Sequence, residues 1–337
     1  MASTVYNQAA LIASDVGATE SARTMCHQHA VAYLHAAPLS GRTAIRALEP
    51  VINLARLHIR AGRADDGLQC LLRLFDAVTT GSPTQVEGVS IPAMLITDAD
   101  DRQAVRAWLW SVLLADGTRA LTTAGRWTEA LAHVQAHRGI GQRMLDGRQV
   151  AVLAALVASD PDRAATLLGE TAPSEPWEQA VAACLTALCR RAAGQPADRP
   201  ANRLADIYVE LEPELGTAVF DARLGLTILD LIGTSDELST CRVVDELHRR
   251  AMKLNDGYAT RAILTHPLFT ALATDGQQKN CRAIVNACAL GAGKLSEELR
   301  DQLTAALHTS DRTIRDCVTS TELSPTFQVP ARSIDGA

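Results

Sequence analysis

The chain has 337 residues, 47% hydrophobic and 21% charged, which is enough apolar surface for a packed core and too regular a composition for a disordered chain. Lys and Arg number 32 against 38 Asp and Glu, a formal net charge of −6. That argues against a general binder of nucleic acid or anionic membranes, because both need an excess of cations facing phosphate.

The N-terminal segment shows no basic stretch leading into a long apolar run, and no stretch approaches the roughly 20 apolar residues that cross a bilayer. The sequence therefore reads as a cytoplasmic protein without a membrane segment. Its eight cysteines (Cys26, Cys70, Cys184, Cys189, Cys241, Cys281, Cys288, Cys317) form no C-x-x-C pair and read as reduced, small core residues. Apolar residues recurring with the helical period predict helices over about 5–15, 19–36, 42–60, 64–79, 102–123, 127–138, 148–158, 161–169, 176–193, 200–211, 214–232, 236–254, 257–273, 277–289 and 295–308. No alternation of period two is long enough to predict a strand. The polar, proline-containing segment 319–337 is expected to be a flexible tail.

Several junctions between these helices look alike. Ala61-Gly62-Arg63-Ala64-Asp65-Asp66 and Ala124-Gly125-Arg126-Trp127-Thr128-Glu129 each place a glycine at the turn and acids in the first turn of the next helix. Ser159-Asp160-Pro161 and Gly194-Gln195-Pro196 follow the same logic, with proline suited to a first helical turn. Successive spacings between Gly62, Gly125, Asp160 and Gly194 are 63, 35 and 34 residues, as expected of helix pairs stacked side by side.

The stretch Leu114–His137 resembles a tetratricopeptide (TPR) repeat, a 34-residue helix–turn–helix unit. Gly125 takes the turn, Trp127 the aromatic after it, Ala130 the small contact between helices and Val134 the apolar position one turn later. It departs from the motif in the displaced Gly117 and in His137, where a small residue is usual. The unit at Gly62 has Ala64 for the aromatic but keeps Gly67, and the unit at Asp160 keeps Ala164 and Leu168 and ends near Pro173 and Pro176. Similarity extends over about 42–200 and dissolves into plain amphipathic helices beyond Pro200. It implies an all-α fold, an α-α superhelix of stacked antiparallel helix pairs. Residues 1–41 would cap the stack, 42–200 would form TPR-like repeats and 201–318 further helical repeats. It also implies a concave groove for a peptide or partner protein, with open ends that permit a homodimer.

One segment breaks the helical pattern. Residues 79–101 hold two prolines and two glycines without a 3.6-residue period, and they read as a long loop folding over the groove. Trp108 and Trp110 are two residues apart and cannot both face one core, so one of them is expected at the groove, with Arg106, Arg126, Trp127 and the loop.

Polar constellations offer alternatives. Glu129, His133 and His137 share one helical face, and with Asp100 and Asp101 they form a second-choice cluster for acid–base chemistry. Asp98-Ala99-Asp100-Asp101 could hold Mg²⁺ but reads better as ordinary capping and charge compensation at a helix start. A second site of that kind would be needed downstream, where Asn255-Asp256-Gly257 reads better as a turn. Cys26 and His29 could converge on one face, with His27 and His35 nearby; a core or solvated histidine is the simpler reading. Gly139-Ile140-Gly141 follows a helix and lacks the later glycine of a dinucleotide fingerprint. The basic run Arg242, His248, Arg249, Arg250, Lys253 and Arg261 is interleaved with Asp245 and Glu246 and reads as a solvated face. No metal set and no cofactor are predicted, and no direct contact with nucleic acid. The leading functional reading is a non-enzymatic helical-repeat protein that binds a polypeptide. Two others stand beside it: an all-helical enzyme or accessory protein with a pocket under 79–101, and a ligand-sensing subunit of a bacterial transcription regulator.

Overall fold

A computed structural model describes residues 1–214, 216–233 and 237–322. Among the described residues the chain is all-α apart from one hairpin. The helices are α1 (Ala2–Asp15), α2 (Thr19–Leu34), α3 (Gly41–Arg60), α4 (Ala64–Thr80), α5 (Ala99–Thr123), α6 (Trp127–Ala136), α7 (Asp146–Val157), α8 (Pro161–Gly169), α9 (Pro176–Ala192), α10 (Asp198–Glu210), α11 (Ala218–Ile232), α12 (Glu237–Leu254), α13 (Gly257–Thr265), α14 (Pro267–Leu272), α15 (Asp275–Ala287) and α16 (Glu297–Glu322). No described helix is long and apolar enough to cross a membrane. Five of the eight cysteines are buried, and Cys241 and Cys317 are exposed.

Each helix from α1 to α12 packs on the next, and α3, α5, α7, α9 and α11 also pack one on another in series. The turns inside the pairs α1–α2, α3–α4, α5–α6, α7–α8 and α9–α10 close in one way. A residue just after each first helix enters the left-handed region: Gly17 (φ 86°), Gly62 (76°), Gly125 (72°), Ser159 (60°) and Gly194 (67°). Two backbone bonds then recur, as in Gly62 N–H to Ile59 and Arg63 N–H to His58, or Gly125 N–H to Thr122 and Arg126 N–H to Leu121. Ser159 is the one member of this set with a Cβ to strain. Ser159→Gly should therefore raise stability by about 0.5–1 kcal/mol, while Gly125→Ala should cost about 1 kcal/mol, both by denaturant titration. Nothing lies within 4 Å of a Cβ at Gly125, so its cost is purely one of backbone conformation.

The pairs touch through small residues. A Cβ on Gly67 would stand 2.6 Å from Ile59 Cγ1 and 2.9 Å from the Ala55 carbonyl, and one on Gly117 would stand 2.6 Å from His133 Nε2. The bulk of His133 on α6 is thus accommodated by a glycine on α5, which explains why the small residue of this pair is displaced.

The sequence expectation fails for residues 79–101. In place of a structureless loop there is an antiparallel hairpin, β1 (Thr84–Val86) and β2 (Val89–Ile91), with Thr84 opposite Ile91 and Val86 opposite Val89. Its two-residue turn has both Glu87 (φ 51°) and Gly88 (φ 82°) left-handed, the backbone of a tight hairpin turn. Three residues per strand are too few for a period-two signal. Val86, Val89 and Ile91 are buried, and the hairpin packs on α2 and α4. The predicted helix 257–273 is likewise broken, because His266, before Pro267, is pushed to an extended conformation (ψ 124°). Residues 319–322 of the expected tail continue α16; the rest of that expectation lies outside the described residues.

Buried apolar side chains of α1–α5, the hairpin and α16 form one core, those of α9–α15 another, and smaller clusters of α5–α9 bridge them. Residues 1–41 thus share a core with α3, α4 and α5, and α9 shares one with residues beyond 200. The chain also returns on itself. α16 packs on α1 and α2, Gly291 N–H bonds the Asp15 carbonyl at 2.9 Å, and Tyr258 Oη donates to Asp15 Oδ1 at 2.8 Å. The first helix pair therefore has neighbours on both sides instead of a free end.

Candidate functional site

Along α3 the apolar core face is flanked by a polar stripe at helical spacing: Arg46, Glu49, Asn53, Arg56 and Arg60. It forms one wall of a trench made of two clefts. The first, of about 570 Å³, lies between α1, α3 and α16. The second, of about 410 Å³, lies between α1, α3 and α5. Asn7, Leu11 and Glu49 line both, so the two are continuous.

Polar groups along the trench are held in a row. Asn7 Nδ2 donates to Glu49 Oε2 at 3.1 Å, Asn53 Nδ2 donates to Asn7 Oδ1 at 3.2 Å, and Arg56 Nη1 donates to Asn53 Oδ1 at 3.2 Å. The buried Asp116 accepts from Arg56 Nε at 2.8 Å, and Arg60 pairs with Asp15 at 2.9 Å. Arg46 has no ion-pair or hydrogen-bonding partner among the described residues. Apolar surface comes from Leu11, which is 46% exposed, and from Trp108 and Val112. Trp108, Val112 and Asp116 lie four residues apart and present one face of α5 to α3.

Trp110 and Arg106 turn to the opposite side. With Phe75, Val78, Arg102 and Gln103 they line a separate cleft of about 520 Å³, and Trp110 Nε1 donates to the His137 carbonyl at 3.2 Å. Arg126 is clamped on Asp65 and Glu129, each at 2.5 Å, and Trp127 is half-buried at the start of α6. The five expected groove residues are therefore not brought to one groove; Trp108 alone lies in the trench.

The second-choice cluster is not assembled either. Glu129 is held by Arg126, and His133 Nε2 stands 3.1 Å from the Leu113 carbonyl with its ring 4.6 Å from that of His137. Burial lowers the pKa of both imidazoles. Asp101 accepts from Gly41 N–H at 2.8 Å, a latch onto the start of α3, while Asp98 caps α5 by accepting from Asp101 N–H at 2.8 Å. Asp100 is exposed. His29 is a core histidine stacked on Tyr6 at 4.8 Å, and burial pushes the Cys26 thiol up to about 12, so neither is poised for chemistry. Asp256 caps α13 through Ala259 N–H, as a turn residue does. The basic run is not a wholly solvated face: Arg250 is buried, paired with Glu246 at 2.6 Å and lying over the Tyr208 ring at 4.1 Å.

A cluster that sequence reasoning missed lies under the hairpin turn. Glu87 meets Arg23 Nη2 at 2.5 Å and His58 Nε2 at 2.9 Å through Oε2, while Cys70 Sγ donates to Oε1 at 3.8 Å. His58 Nδ1 faces Asp66 at 3.8 Å. Burial alone would raise the Glu87 carboxyl, but His58 and Arg23 outweigh it and hold the group down at about 2. Burial and the adjacent Glu87 push the Cys70 thiol up to about 11, so it is not an activated nucleophile. His58, Cys70 and Glu87 stand 12 and 17 residues apart and match no spacing motif. The one sequence signal was a histidine in the apolar last turns of α3.

No family model matches the chain, and no curated protein or solved structure matches it either.

Proposed function

We propose that the chain is a TPR-like superhelix of antiparallel helix pairs and acts, without catalysis of its own, by holding an extended polypeptide segment in the trench along α3. The observation that carries this reading is the continuity of the two clefts past Asn7, Leu11 and Glu49. A long open trough suits a chain better than a small metabolite, which is held in a concave and largely enclosed pocket. Asn7 and Asn53 each offer an amide with both donor and acceptor atoms, the chemistry that recognises peptide backbone. Arg56 and Arg60 are held by Asp116 and Asp15, which leaves Arg46 as the arginine of the α3 stripe open to an acidic side chain of the segment, and Leu11 with Trp108 favours one large apolar anchor. The five alike turns support the repeat assignment, and the serial packing of α3, α5, α7 and α9 is the arrangement expected of the first helices of stacked pairs.

The test is selection of binders from a displayed random-peptide library on the full-length protein. Acidic peptides with one aromatic or large aliphatic residue should be enriched. Trp108→Ala should weaken them by about 2 kcal/mol, roughly thirty-fold, and Trp110→Ala should not. Equal losses in both variants would mean that the wrong face of α5 has been chosen.

A further inference from the structure

The cluster beneath the hairpin turn is independent of the trench. His58 comes from the last turns of α3, Cys70 from α4 and Glu87 from the turn between β1 and β2, so three separate elements deliver one ligand atom each. Those atoms all lie within 4.8 Å of one another, with His58 and Cys70 buried and Glu87 half-buried. We propose that His58, Cys70 and Glu87 bind one divalent transition-metal cation of the zinc type, which staples the hairpin to the helix pair beneath it.

The donor set selects the class of cation. An imidazole, a thiolate and a carboxylate suit zinc and its neighbours, whereas magnesium and calcium call for oxygen donors throughout. With bonds of about 2.0–2.3 Å, tetrahedral ligands stand roughly 3.3–3.8 Å apart, so rotation of the side chains by about 1 Å closes the set. Three protein donors leave the fourth position to water.

The surroundings also match. His58 is 5% exposed, and neither of its ring nitrogens makes an aligned hydrogen bond; Nε2 approaches Glu87 Oε2 off the bonding direction. Buried polar atoms without partners are rare and costly. A cation on Nε2 satisfies one nitrogen and leaves Nδ1–H for Asp66, the carboxylate that commonly orients a metal-bound histidine. Arg23 stays on Glu87 Oε2 while Oε1, on the Cys70 side, serves the metal. On binding, Cys70 forms its sulfur–metal bond and releases its proton to solvent. The carboxylates of Glu87 and Asp66 and the Cys70 thiolate supply the negative charge that faces the dication.

Cobalt(II) titration of the full-length, chelator-treated protein tests this. One equivalent should bind with a thiolate-to-cobalt charge-transfer band and the intense visible absorption of a tetrahedral site, and zinc should bleach both. Cys70→Ser should remove the charge-transfer band with the helical circular dichroism unchanged, and Glu87→Gln should weaken cobalt binding at least ten-fold. Absence of the band in the parent protein, or its survival in Cys70→Ser, overturns the site; the latter would assign the band to another thiol such as the exposed Cys241 or Cys317. If Cys70→Ser fails to fold, the Glu87→Gln titration decides, and unchanged cobalt affinity there overturns the site equally.

Discussion

Acidification from pH 6.5 to pH 4 should cost the folded chain about 3 kcal/mol through His29 alone, read as the difference between the parent protein and His29→Gln in denaturant titrations at each pH. His29 is 1% exposed, its ring lies nearly parallel to that of Tyr6 (8° between planes), and Ser3 Oγ is 2.7 Å from Nε2. Burial lowers its pKa from 6.5 to about 4. Between those values the unfolded chain takes up the proton and the folded chain resists it. The contribution is therefore complete above pH 6.5, shrinks as pH falls toward 4, and changes no further below that. Glutamine keeps a partner for Ser3 and carries no proton, so its curve should lack this slope. Parallel curves for the two proteins would mean that His29 is not sealed between α1 and α2.

Gly147→Ala should be among the most damaging single-methyl additions in the molecule, costing about 3 kcal/mol or more. A Cβ there would stand 2.1 Å from the Gly139 carbonyl oxygen and 2.8 Å from its carbon, both backbone atoms. The connection that would have to move is tied on both sides. Gly139 N–H bonds the Val134 carbonyl at 2.7 Å, and Arg148 Nε donates to the Gly141 carbonyl at 2.8 Å. The fully buried Glu178, at the start of α9, accepts from Met144 N–H at 3.1 Å and pairs with Arg143. Gly141→Ala is the matched control: nothing lies within 4 Å of a Cβ there, and it should cost less than about 1 kcal/mol. A mild Gly147→Ala would show that α7 does not rest on the α6–α7 connection at this point.

The helical elements were legible because each carries its own period, and four of the five alike turns were legible because the chain marks them with Gly, Asp or Pro. The remaining turn, at Gly17, lies outside the 34-residue spacing and offered no such register. The hairpin was not legible, since two strands of three residues give no alternation to count and its turn carries Glu87 where asparagine or aspartate would have announced it. That Trp108 and Trp110 face opposite ways followed from helical geometry; which of them met the trench depended on how α5 is rotated against α3, and no single helix encodes that. Arg250 read as solvated because its pairing with Glu246 has the spacing of a surface pair, whereas Tyr208 and Asp221, which bury it, come from α10 and α11. The α3 stripe was legible in principle: Glu49, Asn53 and Arg56 interrupt an apolar helix at regular intervals.

The most direct measurement is the attachment point of a photo-reactive peptide, selected on the full-length protein and mapped by mass spectrometry. Attachment to Leu11, Asn53 or Trp108, which come from three helices and line the same cleft, is the predicted result. Attachment on the Arg106 and Trp110 side of α5, or at scattered surface residues, would contradict a polypeptide site along α3.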